Sequence, residues 1–159
     1  MVKKTAVSNS TVLIFLSKLN RLDLLLNMYP AIIIPPHVKK EVLAKEDALL
    51  QDNVSNLIVK QAKQKRNFNL GQGETEAIIL CLEETADFLS DDKKARNVAK
   101  ILKINTVGTI GILLWNLQKK LLNKTECSQL VDELIKKQYY ISTELYVKIK
   151  SLIENKRIA

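Results

Sequence analysis

The chain has 159 residues, and its 25 Lys and Arg against 17 Asp and Glu give a formal net charge of +8 at pH 7. Two cysteines and one histidine exclude a disulfide-scaffolded protein and the usual Cys/His zinc module. The excess of positive charge attracts polyanions, which are either nucleic acid or an anionic membrane surface. A catalytic site in this chain must therefore be built from carboxylates or other oxygen ligands.

The apolar runs of the sequence bear on its relation to membranes. The longest ones, at residues 12–16, 31–34 and 77–82, are far shorter than the ~18 residues of a spanning helix. Lys3 and Lys4 before the first run resemble a signal peptide only faintly, because polar residues interrupt the pattern and no small-residue cleavage site follows. We therefore expect no membrane insertion, and the low cysteine content favours a cytoplasmic location.

The first half of the chain predicts strands and helices in alternation. In chain order these are a strand at 5–7, helices at 10–18 and 21–27, a strand at 31–34, a helix from Pro36, a helix at 45–56 and a strand at 57–59. Asn9 or Ser10 suits the start of the first helix, because its side chain can cap free backbone amides. The apolar run at 31–34 is typical of a strand that is buried on both faces of a parallel sheet.

The second half continues the alternation. A polar, basic loop at 60–69 precedes a helix at 74–84, a strand at 87–90, a helix at 93–102, a strand at 105–107, a helix at 108–118 and amphipathic helices at 125–137 and 142–155. This order predicts an α/β fold with a central parallel sheet of about four to five strands and helices on both faces. We expect residues 1–159 to form one domain, with the helices over about 125–155 packed on it.

Four acids and one amide follow strands or open helices in four separate segments. They are Asn9, Glu41, Glu74, Asp91 and Asp92. Because open parallel sheets place their sites beyond the carboxyl ends of the strands, we expect these side chains to converge there. Carboxylates without histidine or thiol select hard cations such as Mg²⁺ or Mn²⁺. Such a site in a basic protein suits phosphodiester hydrolysis, since the cation activates water and stabilises charge on phosphate oxygens.

Helix geometry indicates which acids point inward. Successive residues turn by about 100°, which places Glu74 on the apolar face with Ala77 and Cys81 and places Glu76 on the solvent face. A carboxylate on an apolar face costs free energy unless it is paired or binds a cation, and a buried Lys or Arg is the alternative partner. The alternative for the acids at 91–92 is a helix cap, because Asp at a helix start accepts hydrogen bonds from backbone amides.

Five segments, in this order and spacing, resemble the PIN domain family. They are residues 6–14, 34–42, 70–78, 88–96 and 107–113, and residues 141–146 are similar to the tail of one prokaryotic subgroup. The resemblance implies a PIN-like three-layer sandwich and a ribonuclease that cleaves RNA with Mg²⁺ or Mn²⁺. Many members of the family are toxins of toxin–antitoxin pairs. The resemblance therefore also implies RNA as the substrate, and an antitoxin protein and a second copy of the chain as partners.

The motifs of that family assign roles to residues of this chain. The catalytic positions are Asn9, Glu41, Glu74 and Asp92, with Asp91 adjacent as a substitute or helper; the metal would be held by Asn9, Glu74, Asp91 and Asp92. Ser10, Thr11 and Ser90 match supporting hydroxyl positions. Asn9 departs from the usual aspartate, and it offers an oxygen without a charge, which weakens metal binding. The alternative function is an attenuated or inactive module of the same fold that binds RNA or protein.

Two basic segments are candidates for contacts with RNA. They are Lys93, Lys94 and Arg96 next to the acidic pair, and Lys63 and Arg66 in the basic loop. The alternative for both segments is a solvated surface. Trp115 lies among apolar residues of the helix at 108–118, and we expect it in the core or at a dimer face.

Overall fold

The structure is a computed structural model that describes residues 4–44 and 56–155. The strands are β1 (Ala6–Ser8), β2 (Ile32–Ile34), β3 (Leu57–Val59), β4 (Asp87–Leu89) and β5 (Thr106–Val107). The helices are α1 (Ser10–Lys18), α2 (Asp23–Met28), α3 (Pro36–Ala44), α4 (Gln72–Glu84), α5 (Lys93–Ile101), α6 (Thr109–Gln118), α7 (Lys124–Lys136) and α8 (Thr143–Asn155). These bounds agree closely with the predicted elements, while the helix predicted over 45–56 lies almost entirely outside the described residues.

All five strands pair in parallel, in the order β3-β2-β1-β4-β5. The chain moves outward from β1 to β2 and β3, and then returns to the other side of β1 for β4 and β5. The strand order therefore switches between β1 and β4, where Ser8 pairs in register with Leu89. Open α/β sheets bind ligands in the crevice at such a switch point. The predicted α/β fold with a parallel central sheet is confirmed.

Alternate residues of each strand point to opposite faces of the sheet and enter two separate cores. Ile32 and Ile34 belong to one cluster, which contains the buried side chains of α1, α2, α3, α6, α7 and α8. Ile33 belongs to the other cluster, which α4 and α5 cover. All three side chains are at most 2% exposed, which explains why this strand is entirely apolar. The sheet is thus the middle of three layers, as the sequence predicts.

The last two helices pack on the larger cluster, into which α8 inserts Ile149 and Ile153. Asp132 of α7 joins them: it accepts a hydrogen bond from the Tyr146 hydroxyl at 2.8 Å and forms a salt bridge with Lys150 at 2.9 Å. No helix among the described residues is both long and apolar enough to span a bilayer.

The Asp132 carboxylate gives the packing of α8 a pH dependence. The hydrogen bond from Lys150, together with that from Tyr146, holds the pKa of Asp132 below its ordinary value of 3.8. Since the folded-state pKa is the lower one, the stabilisation is present above pH 3.8 and is lost as the pH falls through the folded-state pKa. We expect Asp132→Asn to lower the free energy of unfolding at pH 7 by only about 0.5–1 kcal/mol, because the Asp132 side chain is 46% exposed and solvent screens its charge.

Urea unfolding at pH 7 and in strong acid measures this effect. The loss should vanish in acid, where the wild-type carboxylate is itself protonated. Glu133→Gln, a change at the neighbouring exposed position, should leave the free energy of unfolding unaltered both at pH 7 and in strong acid. A loss of equal size at both pH values would show that the carboxylate charge has no part in the packing.

Candidate active site

Asn9 lies at the carboxyl end of β1, where it caps α1 and is only 6% exposed. Its Oδ1 accepts a hydrogen bond from the Ser10 backbone amide at 3.1 Å, and its Nδ2 donates to Ser90 Oγ at 3.3 Å. The same Ser90 oxygen accepts a hydrogen bond from the Asp92 backbone amide at 3.1 Å. Ser90 therefore connects the ends of β1 and β4, which are the two strands that flank the switch point.

Glu41 reaches the same place from α3. The Ser10 hydroxyl donates to Glu41 Oε2 at 2.8 Å, so the first residue of α1 fixes one oxygen of this carboxylate. Val38 and Val42 anchor α3 in the core on either side of Glu41, as the helical spacing predicts. Helix α4 packs beside this carboxylate, since a Cβ at Gly73 would lie 3.5 Å from Glu41 Oε1, in ordinary van der Waals contact.

Glu74 stands in the first turn of α4. Its pKa is raised, mainly because the side chain is partly buried and also because the Asp92 and Glu41 carboxylates repel its charged form. Hydrogen bonds from Asn9 and from the Gly71 backbone oppose this shift in its pKa. None of these three acids forms a salt bridge with a Lys or Arg within residues 4–44 and 56–155. The sequence allows a buried Lys or Arg as an alternative partner of Glu74. The described residues contain no such partner.

These side chains surround a cleft of about 250 Å³. Its lining consists of Asn9, Ser10, Thr11, His37, Glu41, Gly71, Gln72, Gly73 and Glu74. Asp92 is not in the lining, but it is close enough to Glu74 for its charge to raise the pKa of that residue. The cleft thus brings together three segments that are far apart in sequence, and the end of β4 borders it.

Asp92 and Asp91 point in different directions. Asp92 caps α5, and its Oδ1 accepts a hydrogen bond from the Ala95 amide at 2.7 Å. Asp91 instead accepts hydrogen bonds from the Thr109 amide at 2.8 Å, the Thr109 hydroxyl at 2.6 Å and the Tyr139 hydroxyl at 2.8 Å. Successive residues of extended backbone project to opposite sides, which separates the two carboxylates. The structure therefore brings Asp92 to the cleft residues and places Asp91 against α6.

The oxygen donors at the cleft match the chemistry of a hard divalent cation. Asn9 Oδ1 and the carboxylates of Glu41, Glu74 and Asp92 are the ligand types that Mg²⁺ and Mn²⁺ prefer. Within the described parts of the chain, no three His, Cys, Asp or Glu side chains form a ready-made metal cluster. Mg²⁺ commonly keeps several waters and binds one or two carboxylates directly, so these spaced donors fit such an ion.

The basic residues predicted to contact RNA differ in their surroundings. Lys93, Lys94, Lys63 and Arg66 are exposed, and the Arg66 guanidinium lies 5.0 Å from the centre of the Phe68 ring. Arg96 is partly buried, and its Nη1 donates to the Ser90 carbonyl at 3.1 Å. Gly108 makes room for this arrangement, because a Cβ there would lie 2.5 Å from Arg96 Nη1 and 2.8 Å from Asp91 Oδ1. Arg96 thus braces the turn after β4.

Glu76 does not face solvent as the helical angle predicts. It is partly buried, and its Oε1 accepts a hydrogen bond from the Ala62 amide at 3.1 Å. Glu83 lies about two turns further along the same side of α4. It accepts hydrogen bonds from the Lys63 and Gln64 amides at 2.9 Å each. The prediction is wrong because the basic loop folds over this side of α4 and needs acceptors for its backbone amides.

Comparison with known proteins agrees with this architecture. The family model DUF3368, described as a PIN domain, matches residues 5–155. Among solved structures, the chain is similar to a PilT N-terminus domain protein, SSO1118, from the hyperthermophilic archaeon Sulfolobus solfataricus P2. The sequences are 22% identical, the TM-score is 0.54, and the match covers 71% of this chain and 93% of that one. No curated protein matches the chain. The resemblance noted in the sequence is therefore confirmed.

Proposed function

Because the chain belongs to the PIN domain family, whose members are generally nucleases, we propose that it is an endoribonuclease that hydrolyses RNA phosphodiester bonds with Mg²⁺ or Mn²⁺. PIN domains generally bind RNA and typically depend on a divalent metal. We further propose one domain over residues 1–159, a cytoplasmic location, and action as the toxin of a toxin–antitoxin pair, with the antitoxin and a second copy of the chain as partners. The sequence resemblance supports the toxin role and its partners, while the length of the chain supports a single domain and its low cysteine content supports the location.

The observation that carries the proposed activity is the electrostatic state of Glu74. Its pKa is raised by burial and by the nearby carboxylates of Asp92 and Glu41, and the described residues offer none of the three a salt bridge. Like charges are costly to gather unless a cation joins them. The net charge of +8 on the whole chain supplies the attraction for RNA.

We assign the roles by the contacts of each side chain. Asn9 Oδ1, Glu74 and Asp92 would hold the cation, whose chemistry is activation of water and stabilisation of charge on the phosphate oxygens. Glu41 completes the cleft, and the Ser10 hydroxyl fixes one of its oxygens. The following residues support the site without entering it: Ser90 binds Asn9 and the Asp92 amide, while Asp91 holds the start of α6. Thr11 lines the cleft beside them.

RNA cleavage assays with the purified protein test the proposal. We expect cleavage of single-stranded RNA in Mg²⁺ or Mn²⁺, no cleavage in EDTA, and recovery when excess Mn²⁺ is added. Asp92→Asn should abolish cleavage without unfolding the protein, since Asn caps a helix as well as Asp does. Asp23→Asn at the exposed start of α2 is the matched control and should cleave normally. Cleavage that persists in EDTA or in Asp92→Asn contradicts the proposal.

The second candidate function is a module of the same fold that binds RNA without cleaving it. The observation that favours it is the neutral Asn9, which is held by hydrogen bonds to Ser10 and Ser90 and brings no negative charge to the cation. This candidate predicts RNA binding that does not depend on Mg²⁺ and no turnover in any divalent metal. The Asn9→Asp variant distinguishes it from an enzyme with a weakened site.

A further inference from the structure

A second and larger concave surface lies on the other side of the Asp91–Asp92 turn from the cleft. We call it the α5–α6 groove. It has a volume of about 720 Å³, and α5, β5 and α6 form it together with the segment at 139–140 and α8. Asp91, Lys93 and Gly108 lie in its lining, so it begins at the same carboxyl edge of the sheet as the cleft. The sequence resemblance assigns no role to most of this surface.

One wall of the groove is cationic. Lys93, Arg96 and Lys100 of α5 line it at positions i, i+3 and i+7, which lie along one side of a helix. Lys93 and Lys100 are exposed and form no salt bridge with any residue in the described segments. They lie about 10 Å apart along the helix axis. That distance spans about three nucleotides of a stacked strand, which rises ~3.4 Å per nucleotide.

Asp91, the acidic residue in the lining of the groove, does not neutralise the two exposed lysines through a salt bridge. Asp91 is the carboxylate there, and the Thr109 amide, the Thr109 hydroxyl and the Tyr139 hydroxyl already bind it. These three donors occupy the carboxylate oxygens, and within the described residues neither Lys93 nor Lys100 forms a salt bridge with Asp91. The lysines therefore remain available to an anionic ligand.

The opposite side of the groove carries aromatic and apolar side chains. Tyr140 is 88% exposed, and Trp115, which the sequence predicts in the core or at a dimer face, is partly exposed. Leu114 and Leu145 add apolar surface to the lining of the groove. Stacking on exposed aromatic rings beside cationic residues is how proteins bind single-stranded nucleic acid without reading its sequence. Core packing does not require a tyrosine so exposed.

We propose that the α5–α6 groove binds the stretch of single-stranded RNA that flanks the bond to be cut. Lys93 and Lys100 contact its phosphates, while Tyr140 and Trp115 stack against its bases. The inference rests on the proposed function, because the same strand continues past Asp92 to the cleft. An acidic amphipathic peptide would satisfy the charge and the apolar surface, but the exposed aromatic ring and the continuity with the cleft favour RNA.

Binding can be measured apart from cleavage. The probe is a fluorescein-labelled ten-nucleotide single-stranded RNA, titrated with the Glu74→Gln protein in EDTA and followed by fluorescence anisotropy. We expect the double variant Lys93→Glu, Lys100→Glu to weaken binding at least about tenfold and to reduce the slope of log K against log salt by about 1.4, since each phosphate contact contributes about 0.7. Tyr140→Ala should weaken binding about fivefold or more, whereas Tyr140→Phe, which keeps the ring, should not.

A charge-matched control separates the groove from general attraction. Lys136→Glu with Lys137→Glu makes the same charge change at the C-terminal end of α7, outside the groove, and should weaken binding much less. The proposal is overturned if both double variants weaken binding equally, if Tyr140→Ala binds like Tyr140→Phe, or if a fluorescein-labelled acidic peptide binds more tightly than RNA in a groove-dependent way.

Cleavage assays make the two proposals distinguishable. If the wild-type protein cleaves RNA but the groove variants have an unchanged KM, the groove proposal fails and the proposed function stands. If the groove variants lose RNA binding but the wild-type protein never cleaves, the proposed function fails and the groove remains an RNA-binding surface.

Discussion

Replacing Glu74 by Gln is expected to reduce metal-dependent RNA cleavage by at least about a hundredfold, because outer partners of a metal site alone cost 10–100-fold when they are removed. Gln keeps the size of the side chain and removes the charge that would bind the cation. The carboxylates of Asp92 and Glu41 remain, so the loss reports the contribution of one acid. Single-turnover cleavage of a labelled RNA at saturating Mn²⁺ measures it.

The stability of this variant gives an independent check that cleavage alone does not provide. The pKa of Glu74 is raised above its ordinary value of 4.5, so the folded state binds the proton more tightly than the unfolded state does. In EDTA, the stability of the wild-type protein should therefore fall as the pH rises from 4.5 through the folded-state pKa. Glu74→Gln should lack this fall in stability. Glu133→Gln, at an exposed position of α7, should behave as wild type in both the stability and the cleavage assay.

Cleavage within threefold of wild type in Glu74→Gln would contradict the role assigned to Glu74.

Replacing Asn9 by Asp is expected to have two opposite effects. In EDTA the added charge lies beside Glu74 and should lower the free energy of unfolding by about 1 kcal/mol. With Mn²⁺ present the same charge should tighten metal binding at least about tenfold, and RNA turnover should rise. Calorimetric titration with Mn²⁺, thermal unfolding with and without Mn²⁺, and the cleavage assay measure the three quantities.

Asn123→Asp is the matched control for this change. Asn123 caps α7 in the same way that Asn9 caps α1, with its side chain accepting a hydrogen bond from a backbone amide. Asp is an equally good cap, but it loses the hydrogen bond that Asn123 Nδ2 donates to Glu126 Oε1 at 2.7 Å. Both side chains are exposed, so stability should fall only slightly, by the same amount with and without Mn²⁺, and Mn²⁺ binding should not change. An Asn9→Asp protein that binds Mn²⁺ more tightly but still does not cleave RNA would favour the binding module over the enzyme.

The regular part of the fold could be predicted because the strands are short and strongly patterned. The run at 31–34 is entirely apolar, and the structure buries both of its faces in different cores. The glycines and prolines mark where strands end and helices start, so most predicted bounds differ from the structure by one or two residues. Strand order is harder to predict, since it depends on which crossovers return past β1.

The candidate site could be predicted less completely because side-chain direction depends on neighbours that are distant in sequence. The sequence treats Asp91 and Asp92 as a pair, yet α6 supplies the donors that draw Asp91 away. Arg96 resembles a phosphate contact, but the Ser90 carbonyl occupies one of its nitrogens. Glu76 resembles a surface residue, but the loop over α4 brings a backbone amide to it. In each case the sequence pattern predicts where along the strand or helix the residue lies, but it does not predict the hydrogen-bond partner of its side chain.

The hydrogen bond from Tyr139 to Asp91 ties the connection between α7 and α8 to the edge of the sheet that carries the cleft. The Tyr139 ring also packs edge-on against Phe15 of α1 at a centroid distance of 5.0 Å. Because these contacts join α1, the turn after β4 and the connection between α7 and α8, undocking of the C-terminal helices together with that connection would remove the Tyr139 donor from the turn. We therefore expect the edge of the sheet that carries the cleft and the C-terminal helices to open together, and hydrogen exchange at the Thr109 amide would report on both at once.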